Sequence, residues 1–282
     1  MMYKSNKFSL HLLKNSLLTT CLLFICSATF AEERIALVIG ISDYQYAPPL
    51  KNPEADAKLV SKTLEKRGFK TNLLINQGKD TILEGMEWFK QKLSEEAIGL
   101  IYFAGHGVQF QGSNYLVLGD TKIDAPEDLK SKAINTAVLF DTFKKAKSKV
   151  NIVILDACRN NPFADALSED SRSLDSSNGD RGLKRREESG NGLTLIDAPI
   201  NTLVAYATAP GQVALDGKGK NSPYSEALAR AFNREALDIE QVFKEVRKEV
   251  YTETDGAQVP WENSSLIQSF YFNKRKTIIR LN

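Results

Sequence analysis

The sequence predicts an α/β fold: a three-layer αβα sandwich around a mostly parallel, six-stranded sheet. Three observations carry this. Short apolar runs alternate along the chain with segments of helical periodicity, the pattern of strands linked by crossover helices. The runs are continuously apolar, as expected of strands covered on both faces. With 282 residues and 42% hydrophobic content, the chain can build one large core.

Each element follows in order. Residues 34–41 form the first apolar run, and Ala57, Val60 and Leu64 then recur at helical spacing, with Gly68 placed to end that helix. Residues 71–76 give a second strand. Thr81 with Glu84 reads as a capping box ahead of Ile82, Met86, Phe89 and Leu93 on one helical face. Residues 98–104 are the third strand and end in Gly105-His106-Gly107. A small hairpin pairs 108–111 with 114–118, and 135–147 reads as helix. The fourth strand, 150–155, runs into Asp156-Ala157-Cys158, and 202–207 is the fifth. Ser222 caps and Pro223 opens another helix, and Asp238 caps an amphipathic one carrying Ile239, Val242, Phe243, Val246 and Val250. Residues 269–272 supply the sixth strand. Residues 163–199, rich in Ser, Asp, Asn, Gly and Arg, lack a core pattern and read as a flexible linker between 32–162 and 200–275, with 276–282 as a tail.

Residues 1–31 differ in kind. Lys4, Lys7 and Lys14 precede an apolar run over 17–26, then small residues and Ala31, which is the order of a secretory signal cut after Ala31. The run is too short to span a bilayer. The expected protein is therefore exported, periplasmic or extracellular, with no membrane span after removal of the signal. That removal takes three lysines and no acid, so the formal charge moves from +2 to −1. No basic excess remains to neutralise phosphates, and nucleic acid is not an expected partner.

Beyond residue 31 the chain contains one cysteine, Cys158, and one histidine, His106. An internal disulfide or a Cys/His metal site cannot be built from that pair, and no metal site is expected. Both residues lie just past the ends of two successive apolar strands. In open α/β sheets the functional crevice lies beyond those carboxyl ends. A thiol attacks well only as thiolate, and an imidazole with a pKa near neutrality can take its proton and later return one to a leaving amine. The N–H groups of Gly107 and Cys158 are candidates for holding the oxyanion. Taken singly, Cys158 could be a small buried hydrophobe and His106 a structural residue. Their joint position favours a catalytic dyad. There is no Gly-x-Ser-x-Gly elbow or phosphate loop.

Tyr102-Phe103-Ala104-Gly105-His106-Gly107, followed by Asp156-Ala157-Cys158-Arg159-Asn160, resembles the His and Cys boxes of the caspase and metacaspase family; the His–Cys separation is 52 residues. Ala207-Thr208-Ala209-Pro210-Gly211 looks like the start of that family's small-subunit pocket strand. Gln258-Val259-Pro260-Trp261-Glu262 and Phe270-Tyr271-Phe272 resemble bacterial members. The resemblance runs from about Arg34 to Phe272. It implies the caspase–haemoglobinase fold, with large- and small-subunit-like parts flanking the linker. It also implies cysteine endopeptidase activity by Cys158 and His106, an oxyanion hole at Gly107 and Cys158, and a peptide or protein as substrate. No cofactor is required, and calcium is an activator for some metacaspases.

The resemblance also directs attention to specificity. Asp216 stands where caspases place a pocket arginine, Asp156 lies two residues before the nucleophile, and Asp56 matches the pocket acid of metacaspases. Ala104 and Ala207 complete the expected pocket; Ala104 and Pro53 depart from the metacaspase pattern. Acids in this pocket repel an Asp side chain and attract Arg or Lys, so cleavage after a basic residue is expected. Arg181, Lys184, Arg185 and Arg186 in the linker are then candidate self-cleavage sites. The alternative is a catalytically silent caspase-like module that binds peptides or proteins. The sequence leaves oligomeric state open.

Overall fold

The computed structural model describes residues 32–158, 199–209, 212, 214–217 and 219–274, with Cys158 described by its backbone. The candidate signal, the basic cluster at 181–186 and the tail lie outside the described residues. Six strands form the main sheet: β1 (Arg34–Gly40), β2 (Lys70–Ile75), β3 (Ile98–Phe110), β6 (Val150–Cys158), β7 (Thr202–Tyr206) and β8 (Trp261–Ser264). Their order is β2-β1-β3-β6-β7-β8. All neighbours are parallel except the antiparallel edge pair of β7 and β8. β3 runs on beyond the sheet as one arm of a hairpin with β4 (Ser113–Leu116), which pairs in turn with β5 (Ile134–Asn135).

Alternate residues of each strand feed two cores. Ala36, Val38, Leu100, Tyr102, Ile152 and Ile154 meet α1 (Pro53–Lys66), α5 (Pro223–Asn233) and α6 (Ile239–Glu253) on one face. Leu37, Ile39, Ile101, Phe103, Val153 and Leu155 meet α2 (Lys79–Lys92) and α4 (Ala137–Ala146) on the other. The three-layer α/β architecture expected from sequence is present. A short helix, α3 (Asp128–Lys132), lies under the β3–β4 hairpin, where Leu129 packs with Val108 and Tyr115.

Local signals explain the starts of α5 and α6. Ser222 Oγ accepts from Ser225 N, with Pro223 opening α5, and Asp238 with Gln241 forms a complete capping box on α6. Close packing of α1 depends on Gly40, where an added Cβ would lie 2.6 Å from both Ala57 Cβ and Pro53 O.

Two expectations are corrected. Thr81 does not cap α2: the helix begins at Lys79, and the Asp120 carboxylate, reaching from the loop after β4, accepts from Lys79 N at 3.2 Å. Residues 269–272 are not a strand. The apolar alternation there arises because Phe270 and Phe272 plug the core, Phe272 stacking on Phe232 at 3.9 Å. The Tyr271 and Phe272 carbonyls accept from the Arg34 guanidinium. The sixth strand is β8, and its polar Glu262-Asn263-Ser264 sequence hid it.

Candidate active site

The site forms where the strand order switches direction, at the carboxyl ends of β1 and β6 and on the part of β3 that runs past β1, so that His106 and Cys158 lie within their strands rather than after them. Strand register builds it. Gly40 pairs with Ala104, and Ala104 with Asp156. Two residues further along, His106 pairs with Cys158. Adjacent strands lie about 4.8 Å apart. The chain's one histidine and one cysteine beyond residue 31 are therefore direct neighbours across the sheet.

His106 is buried, and its Nε2 lies 2.9 Å from Pro48 O. A carbonyl oxygen can only accept, so Nε2 carries the proton, and in the neutral ring Nδ1 holds the lone pair. Nδ1 is buried and makes no hydrogen bond among the described residues. Burial pulls the imidazole pKa below its ordinary value, against the opposing pull of Pro48 O and the Asp216 charge. That shift favours the uncharged ring, whose basic nitrogen is Nδ1.

Tyr44, in the loop after β1, fixes this ring from a second side. Its hydroxyl accepts from His106 N at 2.8 Å, and the two ring centroids are 4.6 Å apart at an interplanar angle of 50°. Gly105 makes room: its φ is +156°, and an added Cβ would sit 2.7 Å from the Tyr44 hydroxyl. Val117 N donates to His106 O, which makes Gly107 and Leu116 a non-hydrogen-bonded antiparallel pair. The Gly107 N–H consequently points away from β4, toward the side occupied by β6.

Beside the pair lies a pocket lined by Pro53, Asp56, Ala104, Asp156, Asp216 and Ser222, among others. Two of its carboxylates are buried and share Ser222. Asp56 Oδ1 accepts from Ser222 N (2.9 Å), Asn221 Nδ2 (2.8 Å) and Ser225 Oγ (2.6 Å). Asp156 Oδ2 accepts from Tyr102 Oη (3.0 Å) and Ser222 Oγ (3.2 Å). Burial, followed by the Asp56 charge, pushes the Asp156 carboxyl up to about 7. Burial likewise raises Asp56, opposed by its three donors. Asp216 is exposed at the pocket mouth.

The structure therefore brings together His106, Gly107, Ala104, Asp56, Asp156, Asp216 and the backbone of Cys158. It does not bring Ala207 into the pocket lining. Ala207 is buried in the core, its N–H donating to Leu155 O and its carbonyl accepting from Gln258 Nε2. Arg181, Lys184, Arg185 and Arg186 fall outside the described residues. Among the described residues no group of three or more His, Cys, Asp or Glu side chains could hold a metal ion, and no helix is long and apolar enough to cross a membrane.

Sequence reasoning missed Tyr44, whose signal was its place on the same rim just past β1. It also read Ser222 as a helix cap alone, when the same hydroxyl serves Asp156.

The caspase-domain family model matches residues 33–271. The mucosa-associated lymphoid tissue lymphoma translocation protein 1 of Homo sapiens is 27% identical over 139 residues, covering 49% of this chain and 16% of that protein. Its Mus musculus homolog matches with the same identity and coverage. The matched segment thus spans 16% of the length of these curated relatives. Among solved structures, caspase-1 from Spodoptera frugiperda superimposes with a TM-score of 0.61 at 17% identity, covering 88% of this chain and 92% of that one. The structure described as pro-sf-caspase-1 gives 0.59 at 16% identity, covering 87% and 92%. At these identities the two structures establish a shared fold.

Proposed function

Because this chain belongs to the caspase-domain family of cysteine peptidases, we propose that it is an endopeptidase that cleaves after Arg or Lys, with Cys158 as nucleophile and His106 as acid/base. The observation that carries this reading is the acidic pocket beside the His106–Cys158 register pair. Three aspartates line it, two of them buried and held by neutral donors. An incoming guanidinium or ammonium supplies the positive charge those carboxylates lack, while an Asp side chain would add repulsion.

The chemistry follows from the groups in place. His106 Nδ1 takes the thiol proton as Cys158 Sγ adds to the carbonyl carbon. The N–H groups of Gly107 and Cys158 receive the resulting oxyanion. The imidazolium then gives its proton to the amine nitrogen as the C–N bond breaks, leaving a thioester. Water, deprotonated by His106, releases the acid and restores the thiol. Tyr44 and Pro48 O hold the ring so that Nδ1 stays the reactive nitrogen. We further propose that residues 1–31 direct export and that the basic cluster at 181–186 is cut by the enzyme itself. A lone thiol in an oxidising compartment would need reductant for full activity.

The test is a set of fluorogenic peptides differing only in the residue before the scissile bond. Turnover is expected with Arg or Lys, not with Asp, and is expected to vanish in Cys158→Ala. Faster cleavage after Asp would reject the pocket assignment. Binding without turnover in the wild type would favour the silent module instead.

A further inference from the structure

Gln258 opens the Gln-Val-Pro-Trp-Glu segment, to which the chemistry above gives no role. Its side chain is buried, 1% exposed, yet both ends of its amide are used. Oε1 accepts from Leu215 N at 3.0 Å, and Nε2 donates to Ala207 O at 2.8 Å. Those partners are not arbitrary backbone. Leu215 belongs to the pocket lining and immediately precedes Asp216. Ala207 follows β7 and donates to Leu155 O, next to Asp156. Gln258 is itself anchored to the end of α6, because its N–H donates to Thr254 Oγ1 at 3.0 Å and that hydroxyl donates to Val250 O at 2.8 Å. From the opposite side the Asn52 amide at the start of α1 donates to Asp216 O. The pocket segment is thus tethered at two successive residues, one tether reaching α6 and the other α1.

We propose that Gln258 is a positioning residue for specificity: it ties the segment carrying Asp216 to the end of β7 and so sets where that carboxylate meets the basic side chain of the substrate. The inference rests on the proposed reading of this pocket. Burying a glutamine is unfavourable unless both its donor and its acceptor are satisfied. Replacing it by an apolar side chain of similar volume leaves Leu215 N and Ala207 O unpaired, which releases the segment toward water. Gln258 bonds to Leu215, Ala207 and Thr254, and to neither of the strands β3 and β6 that carry the dyad.

The experiment is a double-mutant cycle read with a peptide bearing Arg before the scissile bond. Gln258→Met is expected to raise KM roughly tenfold with kcat held within about threefold, and in an Asp216→Asn background to add less than about threefold. A cooperative thermal transition followed by far-UV circular dichroism serves as the folding control that does not involve the pocket. Gln258→Glu is the second variant should Gln258→Met fail to fold. A buried Glu takes up a proton and reproduces both hydrogen bonds, so it is expected to keep KM within about threefold of wild type. A loss of equal size in both backgrounds, a fall in kcat alone, or a Gln258→Glu variant with a KM raised tenfold would overturn the proposal. A wild type that does not cleave the Arg peptide at all would remove the pocket reading, and this inference with it. That outcome is distinct from an additive cycle in an active enzyme.

Discussion

Asp156 shows how much of this site is decided by single groups. It is buried with Asp56 nearby, it accepts from the neutral hydroxyls of Tyr102 and Ser222, and its carboxyl is pushed up to about 7. Below that pH the pocket holds an extra proton and attracts a cation less strongly. KM for an Arg peptide should therefore rise as pH falls from 8 to 6. The kcat limb should lie lower, since burial sets the His106 pKa below its ordinary value. Asp156→Asn is expected to abolish the KM limb; a wild-type KM flat across that range would contradict this assignment. The same shift has a sign for stability. A carboxyl whose pKa is raised on folding stabilises the protein below its unfolded pKa, and that contribution is lost as pH rises through the folded value. Asp156→Asn should accordingly flatten the dependence of Tm on pH between 4 and 7. Neighbours decide this, so the value could not be read from Asp156 in the sequence, although its place two residues before Cys158 could.

At the level of elements, what the sequence disclosed and what it hid have separate physical causes. Strands buried on both faces declared themselves because Ile35 to Gly40 in β1 and Ile152 to Leu155 in β6 are unbroken runs of apolar or glycine residues. β8 did not, because it is an edge strand with Trp261 half exposed and Glu262-Asn263-Ser264 beside it. Phe270-Tyr271-Phe272 mimicked a strand because two rings face the core while the residue between them faces out. The start of α2 was hidden for another reason: its cap, Asp120, lies 41 residues away from Lys79. Arg34 clasps the 270–272 segment and the end of α1 onto β1 through carbonyls of Arg67, Tyr271 and Phe272, at 2.9–3.0 Å, and lies 4.9 Å from the Phe270 ring centroid. Arg34→Ala should lower unfolding free energy by about 2 kcal/mol in urea titration, since bonds from a charged donor are lost together with the ring contact. A change within about 0.5 kcal/mol, the range of an ordinary surface substitution, would show the clasp to be incidental.

For the molecule as a whole, topology does the assembling. The reversal of strand order between β1 and β3 opens the crevice, and the parallel register delivers His106 opposite Cys158 and Asp156 opposite Ala104. Those pairings were legible because strand ends and spacing survive in the sequence. Tyr44 and Gln258 were not, because their partners are backbone groups brought near only by the fold. The central claim, that the imidazole activates the neighbouring sulfur, is most directly tested by the rate of Cys158 alkylation as a function of pH in wild type and His106→Ala. An unassisted cysteine ionises near pH 8.5. At pH 7 the wild type should react on the order of tenfold faster than His106→Ala, with the two rates converging above roughly pH 9. Superimposable profiles for the two proteins would contradict the account.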